Sequence, residues 1–512
     1  MVSLVSILDE SARAYPDKVA LRFAGRSYSY AELKRRVDAL AGALASFGVS
    51  KGDCVSVVSP NTNASIEVLF ACARIGAVCA RLNVRFSPQV ISTLLERSEA
   101  TVVFASADQL DALGPWGRDG GRSAVKVLVD VDGGEAKERF GALAYEGVLD
   151  SAKPYLETCD TEPDDPALLL YTSGTTGMPK GVLLSHGALM HRIETDIAEM
   201  RFAHDDILLC ELPLFHVTFV STLATLAVGG ELVIAESHKP ADIASDLVRY
   251  RATRTALVPY LMRGLAELVE QNGMSFNDLK LIIYGGEPVA PELLMRCQRA
   301  LPCGYLQGYG MTETTAAITM LLPEHHLDPA LLATAGTPVR GMELKIVDED
   351  GRALPVGQCG EVFVKSDTLM SGYFRDPERT AEVFVDGWYR TGDIGHFDED
   401  GFLTLVDRKD NMVITGGENV YPLEVARCIV RMDGIEDAVV MGVPDAHWGE
   451  TLAAFAVRAP GSDVTEADIA QRCACELGGY KKPRIVRFVD GLARNASGKI
   501  PKEQLEKLKN LV

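Results

Sequence analysis

The stretch Leu168-Leu169-Leu170-Tyr171-Thr172-Ser173-Gly174-Thr175-Thr176-Gly177-Met178-Pro179-Lys180-Gly181 decides how this chain is read. Three leucines followed by small hydroxyl residues, glycines and one lysine predict a buried strand running into a loop. Such a loop can wrap backbone N–H groups, hydroxyls and a cation around a polyphosphate. It is not a Walker A loop, because Gly174, Gly177 and Lys180 do not fit GxxxxGK[ST]. A glycine-rich hairpin without a ligand is the plainer alternative, and the density of phosphate-binding groups argues against it.

Strand-then-loop segments recur outward from this point. Ala256-Leu257-Val258 reads as a buried strand, and after Pro259 the residues Leu261, Leu265, Leu268 and Val269 fall on one helical face. Leu281-Ile282-Ile283-Tyr284 is the next strand and runs into Gly285-Gly286, where a doubly wound sheet presents loops to a ligand. This alternation predicts an α/β architecture. The polar cluster Asp407-Arg408-Lys409-Asp410-Asn411, set between two apolar runs, marks a boundary. Beyond it lie roughly 100 residues that suit a small α+β domain. There Pro422 is placed in the first turn of a helix, 438–443 and 452–457 read as strands, and Thr465 as a helix cap. A short polar crossing is compatible with a rigid pair of domains and with two that move.

A chain of 512 residues exceeds one ordinary hydrophobic core, so two or more domains are expected. With 47% hydrophobic and 24% charged residues it has the composition of a soluble globular protein. A formal charge of −20 excludes sequence-independent binding of nucleic acid, which depends on clustered Lys and Arg. The eleven cysteines are scattered, with no CxxC pair and no histidine set to complete a zinc site, as expected for reduced thiols in a cytosol. Asp9 and Glu10 interrupt the first apolar run, which is therefore not read as a signal peptide. No uninterrupted apolar stretch of about 20 residues offers a membrane helix, and Asn510-Leu511-Val512 is no peroxisomal address. A cytoplasmic location is expected.

The 168–181 loop resembles the signature of the adenylate-forming superfamily, which contains acyl-CoA synthetases, luciferase and nonribosomal-peptide adenylation domains. Further motifs follow in that family's order: Leu212-Pro213-Leu214-Phe215-His216, Gly285-Gly286-Glu287-Pro288, Tyr309-Gly310-Met311-Thr312-Glu313-Thr314, Tyr389-Arg390-Thr391-Gly392-Asp393, Asp407 to Asp410 with Gly416-Gly417-Glu418-Asn419, and Asn495-Ala496-Ser497-Gly498-Lys499. One such motif is weak evidence, whereas six in register leave chance out of account. The chain is identified as a member of the acyl-CoA synthetase branch. The resemblance implies a large N-terminal AMP-binding domain with doubly wound sheets over 1–407, a hinge at 408–410 and a small mobile α+β domain over 411–512.

It also implies roles. Thr172, Ser173, Gly174, Thr175, Thr176, Gly177 and Lys180 would hold the β and γ phosphates of ATP, and Gly286, Glu287, Pro288 and Tyr309 would flank adenine. An aromatic ring beside a base contributes about 1–3 kcal/mol in other nucleotide sites. Glu313 would bind Mg2+, for which a carboxylate oxygen is a suitable hard ligand, and Thr312 would reach the α-phosphate. Asp393 would accept from both ribose hydroxyls, with Arg408 beside the same sugar. Lys499 would swing in with the C-terminal domain and bridge acyl carboxylate and ATP, a cation aimed at developing charge. Ala493 and Pro501 depart from the family pattern and concern turn geometry. His216 would position the substrate carboxylate and gate the thiol tunnel, without acting as a base. Histidines 186, 191, 325 and 326 are read as structural. Asp410 matches the hinge, Gly416 and Gly417 would line the pantetheine tunnel, and Trp448, with Tyr480 and Lys482, would lie near the coenzyme A nucleotide.

The acid pocket is assigned to His216, Val217, Val220, Gly308 and Gly310. No Lys, Arg, Asp or Glu occurs between Leu212 and Gly230, so an apolar wall is expected. Gly310 stands where acetate-specific relatives carry a tryptophan, so the expected acid is larger than propionate: fatty, aromatic or polycyclic. The partners implied are that acid, ATP and coenzyme A, with no nucleic acid and no integral membrane contact, as monomer or homodimer. The alternatives are transfer to a carrier-protein thiol and an inactive homologue kept as a binding protein. Retention of Lys180, Glu313, Asp393, Arg408 and Lys499 argues against the last.

Overall fold

A computed structural model of the chain describes residues 3–113, 127–132, 140–172, 178–287, 289–415, 418–445, 448–494 and 500–512. Among them are four sheets. In the first, eight-stranded sheet, the strands Cys54–Val58, Val78–Arg81 and Val102–Ala105 run parallel, and Pro166–Thr172 joins them parallel to Val78–Arg81. The second has nine strands. Its parallel centre is built from Glu231–Ile234, Ile207–Cys210, Arg254–Leu257, Leu281–Gly285 and Gly304–Met311.

The residue pattern accounts for the layers. Leu168 and Leu170 point into one core and Leu169 and Tyr171 into another, so the strand is apolar on both faces, as a covered parallel strand must be. The first of these cores also holds Leu208, Leu232 and Leu281 of the second sheet. It draws in the helices Tyr30–Ser46, Asn63–Ile75, His186–Met200 and Val220–Ala227, so the two sheets share a helical layer. The outer face of the second sheet is covered by Pro240–Arg249, Pro259–Asn272 and Pro291–Ala300. Each of these three carries proline in its first turn, where no intrahelical N–H is lost. Leu261 and Leu265 are buried under Pro259–Asn272 as the periodicity predicts.

Parallel strands leave a sheet on one edge. Residues 211–216, 286–287 and 312–313 therefore emerge together, after Ile207–Cys210, Leu281–Gly285 and Gly304–Met311. A third, antiparallel sheet contains Glu343–Val347, Gly360–Lys365, Trp388–Phe397 and Leu403–Arg408, and it pairs Asp393 with Arg408. The fourth sheet, with its helices Pro422–Val430 and Glu466–Leu477, buries a core drawn only from residues beyond 411. Thr465 caps its helix reciprocally with Asp468. No described helix is long and apolar enough to cross a membrane.

Candidate active site

The first constellation forms around Glu313. Thr172 and Lys180 face each other across the hairpin whose tip, Ser173 to Gly177, lies outside the described residues. The strand Gly372–Tyr373 pairs onto this hairpin, Tyr373 opposite Val182. Its ring lies 5.2 Å from the Lys180 ammonium, and its hydroxyl donates to Glu313 Oε1 at 3.0 Å. Met370 N–H donates to the Glu313 carbonyl at 2.8 Å. Burial, then the Glu313 carboxylate, pushes the Tyr373 phenol up, so it stays a donor. Lys180 and Glu313 thus converge through a tyrosine that sequence reading missed. Thr312 and Glu313 are half-buried at the start of a single 3₁₀ turn.

The second constellation is Asp393 with Tyr309 and Arg408. The Tyr309 hydroxyl donates to Asp393 Oδ2 at 2.6 Å, and Arg408 Nη1 lies 3.1 Å from Oδ1. The carboxylate is buried while Arg408 is half-exposed. Each Asp393 oxygen has more than one lone-pair direction, so both retain acceptor capacity for sugar hydroxyls. Tyr309 was read as a ring beside adenine; its hydroxyl has a second task, which is to orient this carboxylate. Gly286 follows at φ +84, a conformation that a side chain would strain. Glu287 is next to it, and Pro288 lies outside the described residues.

His216 sits where the two sheets meet. It is half-buried at the N-cap of the 3₁₀ turn Val217–Phe219, its ring 4.8 Å from that of Phe215. The loop before it is held from the first sheet. Asn61 donates to the Leu212 carbonyl and accepts from Leu214 N–H, both at 2.8 Å. Arg81, wholly buried, donates to the carbonyls of Leu214 and Ser65 and lies 4.6 Å over the Phe219 ring. Asn61 and Arg81 were not found from sequence. Beside them Glu211 is fully buried against Thr255, 3.3 Å away, and burial pushes its carboxyl up to about 8.

Three residues assigned to the acid pocket, Val217, Val220 and Gly310, are also under close packing constraints. Val217 and Val220, expected on the pocket wall, are buried in the shared core, Val220 completely. At Gly310 an added Cβ would lie 1.9 Å from the Ala316 carbonyl oxygen, in a strand pair whose register shifts at Tyr309/Gly310. The missing side chain is therefore required by a close backbone approach, a reason for glycine here that is independent of the size of the acid. At Gly308 an added Cβ would meet the Ala317 methyl at 3.2 Å. Open concavities of about 340 and 520 Å3 lie at Tyr260 and at Trp388, the second lined also by Arg390 of the 389–393 motif.

Gly416, Gly417 and Lys499 fall outside the described residues. Asp410 is exposed in the 3₁₀ turn Lys409–Asn411. Asp407 anchors that crossing, accepting from Asn411 Nδ2 at 2.9 Å and from Leu423 N–H at 2.7 Å. Trp448 packs 4.2 Å under the Arg484 guanidinium. His186 accepts from Leu4 N–H, and His326 bonds Tyr284 and Leu322, so both serve packing as expected. No group of three or more His, Cys, Asp or Glu able to hold a metal occurs among the described residues. Mg2+ is commonly held by one or two carboxylates together with substrate phosphates, and a lone Glu313 beside the Lys180 hairpin fits that donor set.

Comparison with known proteins agrees with this geometry. The profile of the family described as AMP-binding enzyme matches residues 8–374, and that of the AMP-binding enzyme C-terminal domain matches 424–499. The feruloyl-CoA synthase of an Amycolatopsis species is 34% identical over 97% of each chain. The fatty acid–[acyl-carrier-protein] ligase ScoC of Streptomyces coeruleorubidus is 33% identical over 98% of this chain and 96% of its own. The crystal structure of ATP-bound MatB from Rhodopseudomonas palustris superposes with a TM-score of 0.89 at 30% identity, covering 100% of this chain and 99% of that one. With its phosphate-loop strand, Glu313 and Asp393 assembled on a fold of this type, the chain belongs to the AMP-binding enzyme family.

Proposed function

We propose that this protein is an AMP-forming acid–thiol ligase that joins a fatty or aromatic carboxylic acid to coenzyme A at the expense of ATP. The observation that carries the reading is the convergence of Lys180, Glu313 and Asp393, with Arg408, on one edge of the sheets. A cation, a carboxylate suited to Mg2+ and a sugar-binding carboxylate are thereby brought together as one nucleotide site. Similarity to the feruloyl-CoA synthase supports coenzyme A as acceptor and an aromatic acid among the candidates.

The reaction runs in two steps. A carboxylate oxygen attacks the α-phosphorus, the bond to the bridging oxygen breaks, and pyrophosphate leaves with its electron pair. The thiolate of coenzyme A then attacks the acyl carbon of the adenylate and AMP leaves. A thiol with a pKa of about 8.5 supplies enough thiolate near neutral pH without a dedicated base. The protein's contribution is placement and electrostatic clamping. Lys180 and the 172–177 loop hold phosphate, Glu313 would hold Mg2+, Tyr309 and Arg408 orient Asp393 on the ribose, and His216 faces the acid. Lys499 would meet both anions in the first step, carried by a C-terminal domain that turns at Asp410. Gly416, Gly417 and Trp448 would serve coenzyme A in the second.

The test is incubation of the purified protein with ATP, Mg2+, coenzyme A and a pool of fatty, aromatic and short acids, followed by mass analysis of the thioesters. Acyl-CoA with equal amounts of AMP and pyrophosphate is expected. Adenylate without thioester, converted only when a carrier protein is supplied, would favour the second reading, for which the similarity to ScoC speaks.

A further inference from the structure

Arg494 joins the two parts of the molecule. It ends the described segment that precedes residues 495–499, and so stands five positions before Lys499. Its guanidinium grips Asp437 on the strand Ile435–Asp445, with Nη2 2.9 Å from Oδ1 and Nε 3.3 Å from Oδ2. That fork fixes Arg494 within the fourth sheet's unit. The remaining arm, Nη1, lies 3.3 Å from Glu287 Oε2, across 207 residues of sequence. Glu287 follows directly on Leu281–Gly285 and Gly286, in the loop assigned to adenine, and its side chain is only 11% exposed.

We infer that Arg494 is a positioning residue: its contact with Glu287 latches the C-terminal unit in the orientation that delivers Lys499 to ATP, and couples that orientation to nucleotide binding. The inference rests on the two-orientation reading of the ligase reaction. Rotation of the C-terminal unit about Asp410 carries Arg494 and Asp437 together away from Glu287, so the contact exists in one orientation only. An ion pair that is partly shielded, with one partner pre-fixed, shifts a two-state ratio by about two- to fivefold. Because the acceptor is part of the nucleotide loop, linkage requires the reverse effect as well. By whatever factor the closed orientation binds ATP more tightly, ATP favours the closed orientation by the same factor, so loss of the latch lowers ATP affinity by at most the latch's own factor.

The latch has a signature that a general loss of structure lacks, since it belongs to one half-reaction. Arg494→Gln is expected to weaken Mg-ATP binding in calorimetry by about two- to fivefold. Pyrophosphate exchange with decanoate and ferulate should fall by a similar factor, while thioester formation from supplied decanoyl-AMP and coenzyme A stays within about twofold. Arg494→Lys should recover part of the loss, and Asp437→Asn, which loosens the anchor without touching the nucleotide loop, should move in the same direction by less.

Orientation is read without any acid. Spin labels at Leu327→Cys and Leu511→Cys, both exposed sites, are placed in a Cys359→Ser, Cys475→Ser background that removes the exposed native thiols. The interdomain distance distribution of the full chain with Mg-ATP should show one dominant population, depleted by Arg494→Gln. Equal loss of both half-reactions, or an unchanged distance distribution and ATP affinity in Arg494→Gln, overturns the latch. Failure of the wild type to form any thioester would overturn the ligase reading instead, leaving the distance and ATP measurements to decide on Arg494.

Discussion

Tyr309→Phe isolates the link between the aromatic ring and the sugar-binding carboxylate. The substitution keeps the ring and removes only the hydroxyl that donates to Asp393 Oδ2 at 2.6 Å. A hydrogen bond to a charged group contributes about 1.5–3 kcal/mol when it is lost without replacement. Asp393 keeps Arg408 at 3.1 Å on its other oxygen, and water can enter beside a half-buried side chain, so the lower end of that range applies. The expected effect is about tenfold weaker ATP binding, since each 1.4 kcal/mol is a factor of ten. Tyr309→Ala removes the ring as well and should lose a further about 1–3 kcal/mol. Because both partners hold one carboxylate, Tyr309→Phe combined with Arg408→Gln should be non-additive. Calorimetric titration of each variant with Mg-ATP gives the numbers. Unchanged affinity in Tyr309→Phe, or strict additivity of the pair, refutes the view that the hydroxyl presents Asp393 to the ribose.

Further outcomes follow from the same geometry. Glu211 carries a carboxyl raised from 4.5 to about 8, so the native state binds a proton that the unfolded chain releases. Stability should therefore be greatest below about pH 4.5 as far as this group is concerned, and fall as pH rises through 8, by several kcal/mol in all. Glu211→Gln should flatten that slope in thermal melts between pH 6 and 9, and an unaltered slope would refute the assignment. Arg81→Met should remove the clamp on the Leu214 carbonyl and raise KM for the acid more than KM for ATP; an equal rise in both would make Arg81 a general stabiliser only. Gly310→Ala should force the 304–311 and 316–321 strands apart and lower pyrophosphate exchange with every acid tested, whereas a selective change with acid size would mark Gly310 as part of the pocket wall.

What the sequence made legible was local. The buried strand of Leu168 to Leu170, the helical face after Pro259 and the Thr465 cap are all set by neighbours within a few residues, and the structure shows each. Tyr373 was not legible because its partner, Glu313, is 60 residues away and the pair is created by strand register. Asn61 and Arg81 reach across 151 and 133 residues from one sheet to a loop on the other, and no periodicity reports such a contact. Two positions carry a packing role that the sequence did not report. A valine suits a core as well as a pocket wall, and a glycine can be required by an approaching carbonyl as well as by a ligand. Val220 and Gly310 are the first kind and the second.

The central claim is that acid carboxylate attacks the α-phosphorus of ATP. It is tested most directly by supplying an acid labelled in both carboxylate oxygens with 18O, together with ATP and coenzyme A, and weighing the nucleotide product. Attack at the α-phosphorus leaves one acid oxygen bound to that phosphorus when the thiolate displaces AMP, so labelled AMP and unlabelled pyrophosphate are predicted. Unlabelled AMP, or label recovered in pyrophosphate or phosphate, would contradict an adenylate intermediate and with it the roles given to Lys180, Glu313 and Asp393.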